Sequence, residues 1–271
     1  MTSTWNILGL ASMLAWPFGA AAHAADYACL IEPMQVLKLA APVQGVVASV
    51  AVDRGDRVHK GQVVAMLEAE LEEVGALVAQ VRAANDTAIT SGRARLAFLQ
   101  RKQSRNEKLR TTDAVSFAQM DESISDARVA EAQLREAELN LAMARLEARR
   151  AEAQLQQRRI ISPIDGIVTE RALGPGEFRN DQAHIMTVAE LDPLRIEAFL
   201  PISTFGQIKV GDHADVSPEA PVGGSFGATV TVVDHVLDAA SGTIGVRLAL
   251  PNPDLILPAG IHCRVSFKGS G

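Results

Sequence analysis

Hydrophobic positions along the chain follow three different patterns. Between residues 40 and 69, and again between 160 and 189, short apolar runs such as Val46-Val47 and Ile167-Val168 are cut by glycine, as in small strands joined by tight turns. From 70 to 158 the period becomes helical. Met120, Ala127, Leu134, Leu141, Ala148 and Leu155 recur at every seventh residue, with Ser123, Ala130, Ala137, Ala144 and Ala151 between them, which is the seam of a coiled coil. Upstream, Val74, Val78, Val81, Ala88 and Leu99 predict the facing stripe, weakened at Asn85 and Gly92. Beyond Val188, runs rich in Val, Ile and Thr at 194–200, 214–217, 228–234, 243–250 and 261–267 predict strands. Gly and Pro turn signals separate several of them, so a small β-barrel fits; a sandwich fits the same spacing.

The chain also repeats itself. Pro42-Val43-Gln44-Gly45-Val46-Val47 recurs as Pro163-Ile164-Asp165-Gly166-Ile167-Val168, 121 residues later, and Val52, Gly55 and Leu67 match Leu173, Gly176 and Val188 without a gap. Each half is too small to bury a core alone, so the two halves must meet in space. The helical insert between them predicts two arms of equal length, near 70–110 and 117–157, that fold back around 111–115. At 1.5 Å per residue each arm reaches about 60 Å. The predicted organisation is a mixed α and β multidomain chain: an N-terminal strand segment 25–38, a split β-sandwich from 39–69 plus 159–189, an antiparallel helical hairpin 70–158, a small β-barrel 190–268 and a tail 269–271.

Charge and composition narrow the function. The hairpin holds fourteen acidic and fourteen basic residues between 69 and 158, so the net charge of -6 resides in the other domains. That charge, with only 4% aromatic residues, excludes nucleic acid as a partner. Residues 1–25 hold no Asp, Glu, Lys or Arg, and an apolar run at 7–18 leads to Ala22-His23-Ala24. A signal peptide 1–24 cleaved after Ala24 is expected, an uncleaved anchor being the alternative because the n-region lacks a cation. Export gives the two cysteines, Cys29 and Cys263, an oxidising compartment: they are either an end-to-end disulfide or two buried thiols.

The order of half-motif, helical hairpin, second half-motif and barrel resembles the periplasmic adaptors, or HlyD-type membrane fusion proteins, of tripartite efflux pumps. The segments that carry the resemblance are Ala41-Pro42-Val43-Gln44-Gly45, Asp53-Arg54-Gly55-Asp56-Arg57-Val58, Ile161-Ser162-Pro163-Ile164-Asp165-Gly166, Val246-Arg247-Leu248-Ala249-Leu250-Pro251-Asn252-Pro253 and Leu257-Pro258-Ala259-Gly260. The resemblance implies that the half-motifs form a lipoyl-like domain and that subunits assemble as hexamers. It further implies a barrel facing an inner-membrane transporter of the resistance-nodulation-division (RND) class and a hairpin reaching an outer-membrane channel of the TolC type. Arg105, Leu109 and Ser116 match the family's Arg-x3-Leu-x6-Ser tip motif, associated with channel docking. Each also has a plainer reading: a solvated charge, a seam residue closing the hairpin, and a capping box with Gln119. Hinges are expected near Ala69, Arg158 and Ala189. The sequence ends at Gly271, leaving too few residues for the membrane-proximal domain of longer members, so the transporter could belong to another class, as in type I secretion, ABC-type export or metal efflux.

Other chemistry finds no support in the residues. A lipoyl or biotinyl carrier needs a Lys at the turn between its halves, where Glu68-Ala69-Glu70 stands instead. His59, His184, His213, His235 and His262 are scattered, so no metal site is expected. No nucleophile elbow, phosphate loop or zinc signature occurs, which points to a protein without catalytic residues or cofactor. A purely structural envelope coiled coil would account for the hairpin and leave the split repeat unexplained.

Overall fold

A computed structural model describes residues 26–111 and 114–267; the expected signal peptide and tail lie outside them. The chain forms two compact units, one from residues up to Glu32 together with Asp192 onward, the other from Pro33 to Leu191. Among the described residues no helix is long and apolar enough to cross a membrane.

In the Pro33–Leu191 unit the two half-motifs build one sandwich by exchanging parts. The strands are the end of β1 (Asp26–Leu39), β2 (Gly45–Val50), β3 (Arg57–Val58), β4 (Val63–Leu67), β5 (Arg159–Ile161), β6 (Gly166–Arg171), β7 (Phe178–Arg179) and the start of β8 (Met186–Pro201). β3 of the first half pairs with β6 of the second, Arg57 opposite Ile167 and Val58 opposite Gly166. β7 of the second half pairs with β2 of the first, Phe178 opposite Val46 and Arg179 opposite Gly45. Each pair maps onto the other by the 121-residue offset.

The turn contacts obey the same rule. The Val47 N–H donates to the Glu177 carbonyl and the Gly176 N–H to the Val47 carbonyl; symmetrically, the Val168 N–H donates to Asp56 and the Gly55 N–H to Val168. Gly55 and Gly176 sit at φ of 95° and 85°, a conformation that side chains with a Cβ resist. Even a polar contact is duplicated. Gln44 donates to the Asp181 carboxylate at 2.8 Å, and its counterpart Asp165 accepts from the Lys60 N–H at 3.2 Å. That backbone bond is the main reason the exposed Asp165 carboxyl is held below the usual range, helped by His59. Buried Val47, Val64, Leu67, Ile160, Val168 and Val188 join both halves in a single core.

Close packing singles out one of the two repeated glycines. A Cβ on Gly166 would overlap the Ala189 carbonyl oxygen and lie 2.9 Å from a Val188 methyl, whereas one on Gly45 would meet the end of the Arg158 side chain at 2.7 Å. Backbone cannot yield as a side chain can. Gly166→Ala should therefore destabilise by about 3 kcal/mol, the upper end of overpacking costs, and Gly45→Ala by about 1 kcal/mol, the lower end, because the Arg158 guanidinium must shift from the Gln44 carbonyl but no backbone must. Urea midpoints of the two variants check this; equal midpoints would refute it.

From this sandwich the hairpin extends as α1 (Glu70–Ala84), α2 (Thr87–Arg110) and α3 (Phe117–Gln156). The α3 seam runs as its heptads predict, with Ser123, Ala127, Ala130 and Leu141 buried. The first arm departs from prediction twice. It is broken at Asn85-Asp86, where the Asn85 side chain accepts the Thr87 N–H at 3.1 Å and so offers the backbone an alternative to the helix. Its inner face carries Ala76 and then Ile89, while Val74, Val78 and Val81 are 57%, 45% and 64% exposed. Alanine lets two helices approach closely, which turns the branched residues outward.

The joint between hairpin and sandwich, expected to be a hinge at Ala69 and Arg158, is tied. Arg158 forms an ion pair with Glu72 and donates to the Gln44 carbonyl at 3.0 Å, and its own carbonyl accepts the Leu67 N–H at 2.8 Å. Burial in this joint opposes ionisation of Glu72. A backbone N–H bond and Arg158 outweigh it and hold the carboxyl below its ordinary value.

The other unit is a β-barrel. The later part of β8, β9 (His213–Pro218), β10 (Phe226–Val233), β11 (Thr243–Leu250) and β12 (Ile261–Phe267) join β1 in the order β1-β12-β9-β10-β11-β8, and β1 also pairs with β8. Alternation fills the interior with Leu194, Ile196, Leu200, Val216, Leu248 and Val265. Residues 26–32, expected in a separate strand segment, belong to this barrel through pairing with β12. Cys29 stands opposite Cys263 in that register, and their sulfurs are bonded.

Candidate functional site

The exposed feature that the fold presents farthest from the sandwich along α2 and α3 is the hairpin tip. α2 ends at Arg110, and the Thr111 hydroxyl donates to the Lys108 carbonyl at 2.7 Å. The Ala114 N–H returns to the Leu109 carbonyl at 3.2 Å. α3 then starts with a capping box: the Gln119 N–H donates to Ser116 Oγ at 3.3 Å, and the Ser116 N–H donates to Gln119 Oε1 at 3.2 Å. Two backbone donors at the start of α3 are satisfied within this box.

The three motif residues are brought to one end of the hairpin in different settings. Leu109, in the last turn of α2, is 42% exposed. Ser116 is the N-cap of α3, its hydroxyl engaged in the box. Arg105 lies a turn below Leu109 on the outer face of α2, exposed and, among the described residues, without an ion pair. The structure adds a residue that the motif omits. Phe117 is 77% exposed, with the Arg110 guanidinium 5.8 Å from its ring centre. One aromatic directly after an N-cap, in a chain with so few aromatics, was the available signal. Leu109 and Phe117 give the tip two large apolar side chains, flanked by Arg105 and Arg110. Such a surface suits burial against another coiled coil. Among the described residues, His, Cys, Asp and Glu nowhere gather in threes that could hold a metal ion.

Comparison with known proteins gives this architecture its relatives. The cobalt-zinc-cadmium resistance protein CzcB of Cupriavidus metallidurans is 23% identical over 83% of this chain and 41% of its own length. The pyoverdine export membrane fusion protein PvdR of Pseudomonas putida is 32% identical over 76% of this chain and 57% of its own. The chain thus spans about half the length of these curated relatives. Among solved structures, MacA from Actinobacillus actinomycetemcomitans superposes with a TM-score of 0.73 at 20% identity, covering 90% of this chain and 78% of that one, a likeness of fold. The model of the CusB-like β-barrel domain matches residues 194–271. The model of the CzcB-like barrel-sandwich hybrid domain matches residues 35–190, more than half of the chain, and the chain belongs to that family.

Proposed function

We propose that this protein is a non-enzymatic periplasmic adaptor that couples an inner-membrane transporter of the RND class to a TolC-type outer-membrane channel in small-molecule efflux. The observation that carries this reading is the tip. A slender hairpin, its arms about 60 Å long by the helical rise, ends in the exposed pair Leu109 and Phe117 beside cations. Such a reach serves to touch something distant. Copies assemble as a ring, hexameric by resemblance, whose hairpins form a conduit, and the barrel contacts the transporter. Export of pyoverdine by the PvdR relative and metal resistance in the name of CzcB define two cargo classes for the test.

Affinity purification of crosslinked envelopes with this protein as bait should recover one transporter and one outer-membrane channel. Recovery of an ATP-driven transporter would move it to another exporter class, and recovery of neither would leave a structural envelope protein. At the tip, Leu109→Asp should reduce channel recovery at least tenfold, since a charge replaces an apolar contact. Helical content and thermal midpoint should stay unchanged because the tip buries little. Full efflux by the variant would refute the docking role.

A further inference from the structure

Ser116 and the aromatic residue that follows it have different work at the tip. The Ser116 hydroxyl is engaged twice inside the capping box: Oγ accepts the Gln119 N–H at 3.3 Å and donates to Gln119 Oε1 at 3.3 Å. A hydroxyl carries one donor hydrogen, so this one keeps none for a partner. The Ser116 backbone N–H is taken as well, donating to Gln119 Oε1 at 3.2 Å. The box fixes where α3 begins, and the residue it places first is Phe117.

Phe117 is the most exposed phenylalanine among the described residues. A bare phenyl ring adds nothing to a core, so its place at the end of the hairpin calls for another reason. Its position is set from two sides. Ser116 falls on the α3 seam, seven residues before Ser123, so Phe117 stands one step off that seam, outside the contact between the helices. From the end of α2, the Arg110 guanidinium lies within cation–π range of the ring. The surroundings are cationic. Arg105, Lys108 and Arg110 stand in the last two turns of α2 against one carboxylate, Glu107, and the first turn of α3 has no acidic residue. Among the described residues, none of the three cations forms an ion pair within the chain.

We infer that Phe117 is the anchor of the tip, seated in an apolar pocket rimmed by carboxylates on the helix ends of the outer-membrane channel, and that Ser116 is a positioning residue for it. Ser116 acts through the helix start that aims the ring and does not itself touch the channel. An aromatic ring desolvated in a pocket supplies binding, while the cations around it select an acidic rim and set the orientation. The inference rests on the docking reading above and divides the tip residues into one that binds and one that aims.

The test measures how much of the outer-membrane channel, identified by its recovery with the parent chain, crosslinks to full-length variants. Phe117→Gln, polar at similar length, should lower recovery about tenfold, and Phe117→Leu, which stays apolar, should keep roughly half of it or more. Ser116→Ala removes the cap and should lower recovery about fivefold, whereas Ser116→Asn, an equally good cap without a hydroxyl, should restore it. Helical content should match the parent in all four. Loss of the channel by Leu109→Asp with full recovery by Phe117→Gln would overturn the anchor and leave the docking reading. Full recovery by both would overturn the two together. A Ser116→Asn variant as poor as Ser116→Ala would make the hydroxyl a direct contact and overturn its positioning role. Loss of helical signal along with the channel in Phe117→Gln would place the ring in the fold and overturn the anchor.

Discussion

A chain in which residues 70–158 are replaced by Asn-Gly should fold cooperatively as an all-β protein and support no efflux. β4 and β5, which flank the insert, are antiparallel neighbours, Met66 opposite Arg159 and Val63 opposite Ile161. The Leu67 N–H to Arg158 carbonyl bond shows the chain ends already side by side at the point of excision. With Leu67, Glu68 and Ala69 kept, Asn-Gly completes a five-residue loop between Met66 and Arg159, a length that antiparallel hairpins accept, and its glycine can take the positive φ such a loop needs. The sandwich core draws Val47, Val64 and Leu67 from one half and Ile160, Val168 and Val188 from the other, and, among the described residues, none from the hairpin. Circular dichroism should lose the signal of helices 15, 24 and 40 residues long, while one sharp urea transition persists. A variant that exports would remove the need for reach. One that is unfolded would show that the hairpin holds the halves together.

The disulfide should account for the second large effect. It joins Cys29 of β1 to Cys263 of β12, 234 residues apart, inside the barrel unit. Closing so long a loop removes freedom from the unfolded chain, and the chain-entropy model places the stabilisation at up to about 5 kcal/mol. Both cysteines are almost wholly buried, so their replacement by Ala leaves the folded barrel little changed apart from lost packing. The Cys29→Ala, Cys263→Ala variant should unfold at markedly lower urea than the parent. Labelling of denatured, unreduced protein should find no free thiol, and two after reduction. Two labelled thiols before reduction would exclude the bond.

Some of this architecture is legible in sequence because one force dominates. The repeat can be read because Gly55, Gly166 and Gly176 hold places where backbone crowding or positive φ excludes other residues. Barrel strands can be read because one face is buried and the other wet, as in β11, where Ile244, Val246, Leu248 and Leu250 alternate with accessible residues. The first arm of the hairpin misleads for the complementary reason. Hydrophobicity alone draws Val74, Val78 and Val81 to the seam, whereas close approach prefers Ala76, and the larger residues are left for another surface. The break at Asn85 depends on a side-chain bond to Thr87 that competes with helix by a small margin. At the tip, the motif marked Arg105, Leu109 and Ser116 but could not separate the capping role of Ser116 from docking, nor reveal Phe117.

Exchange of turns between the half-motifs also governs when the sandwich can exist. A chain that emerges from its N-terminus delivers β2, β3 and β4 long before β6 and β7, so Val47 has no Glu177 to bond and Arg57 no Ile167 to pair with. The hairpin lies between them in sequence and is local in its contacts, with α3 lying along α1 and α2. Local contacts form sooner than distant ones. By zipping first, the helices bring residues 69 and 158 together and shorten the loop that the sandwich must close, which reduces the entropy lost in joining the halves. The same element that gives the protein its reach is thereby a splint for its own assembly.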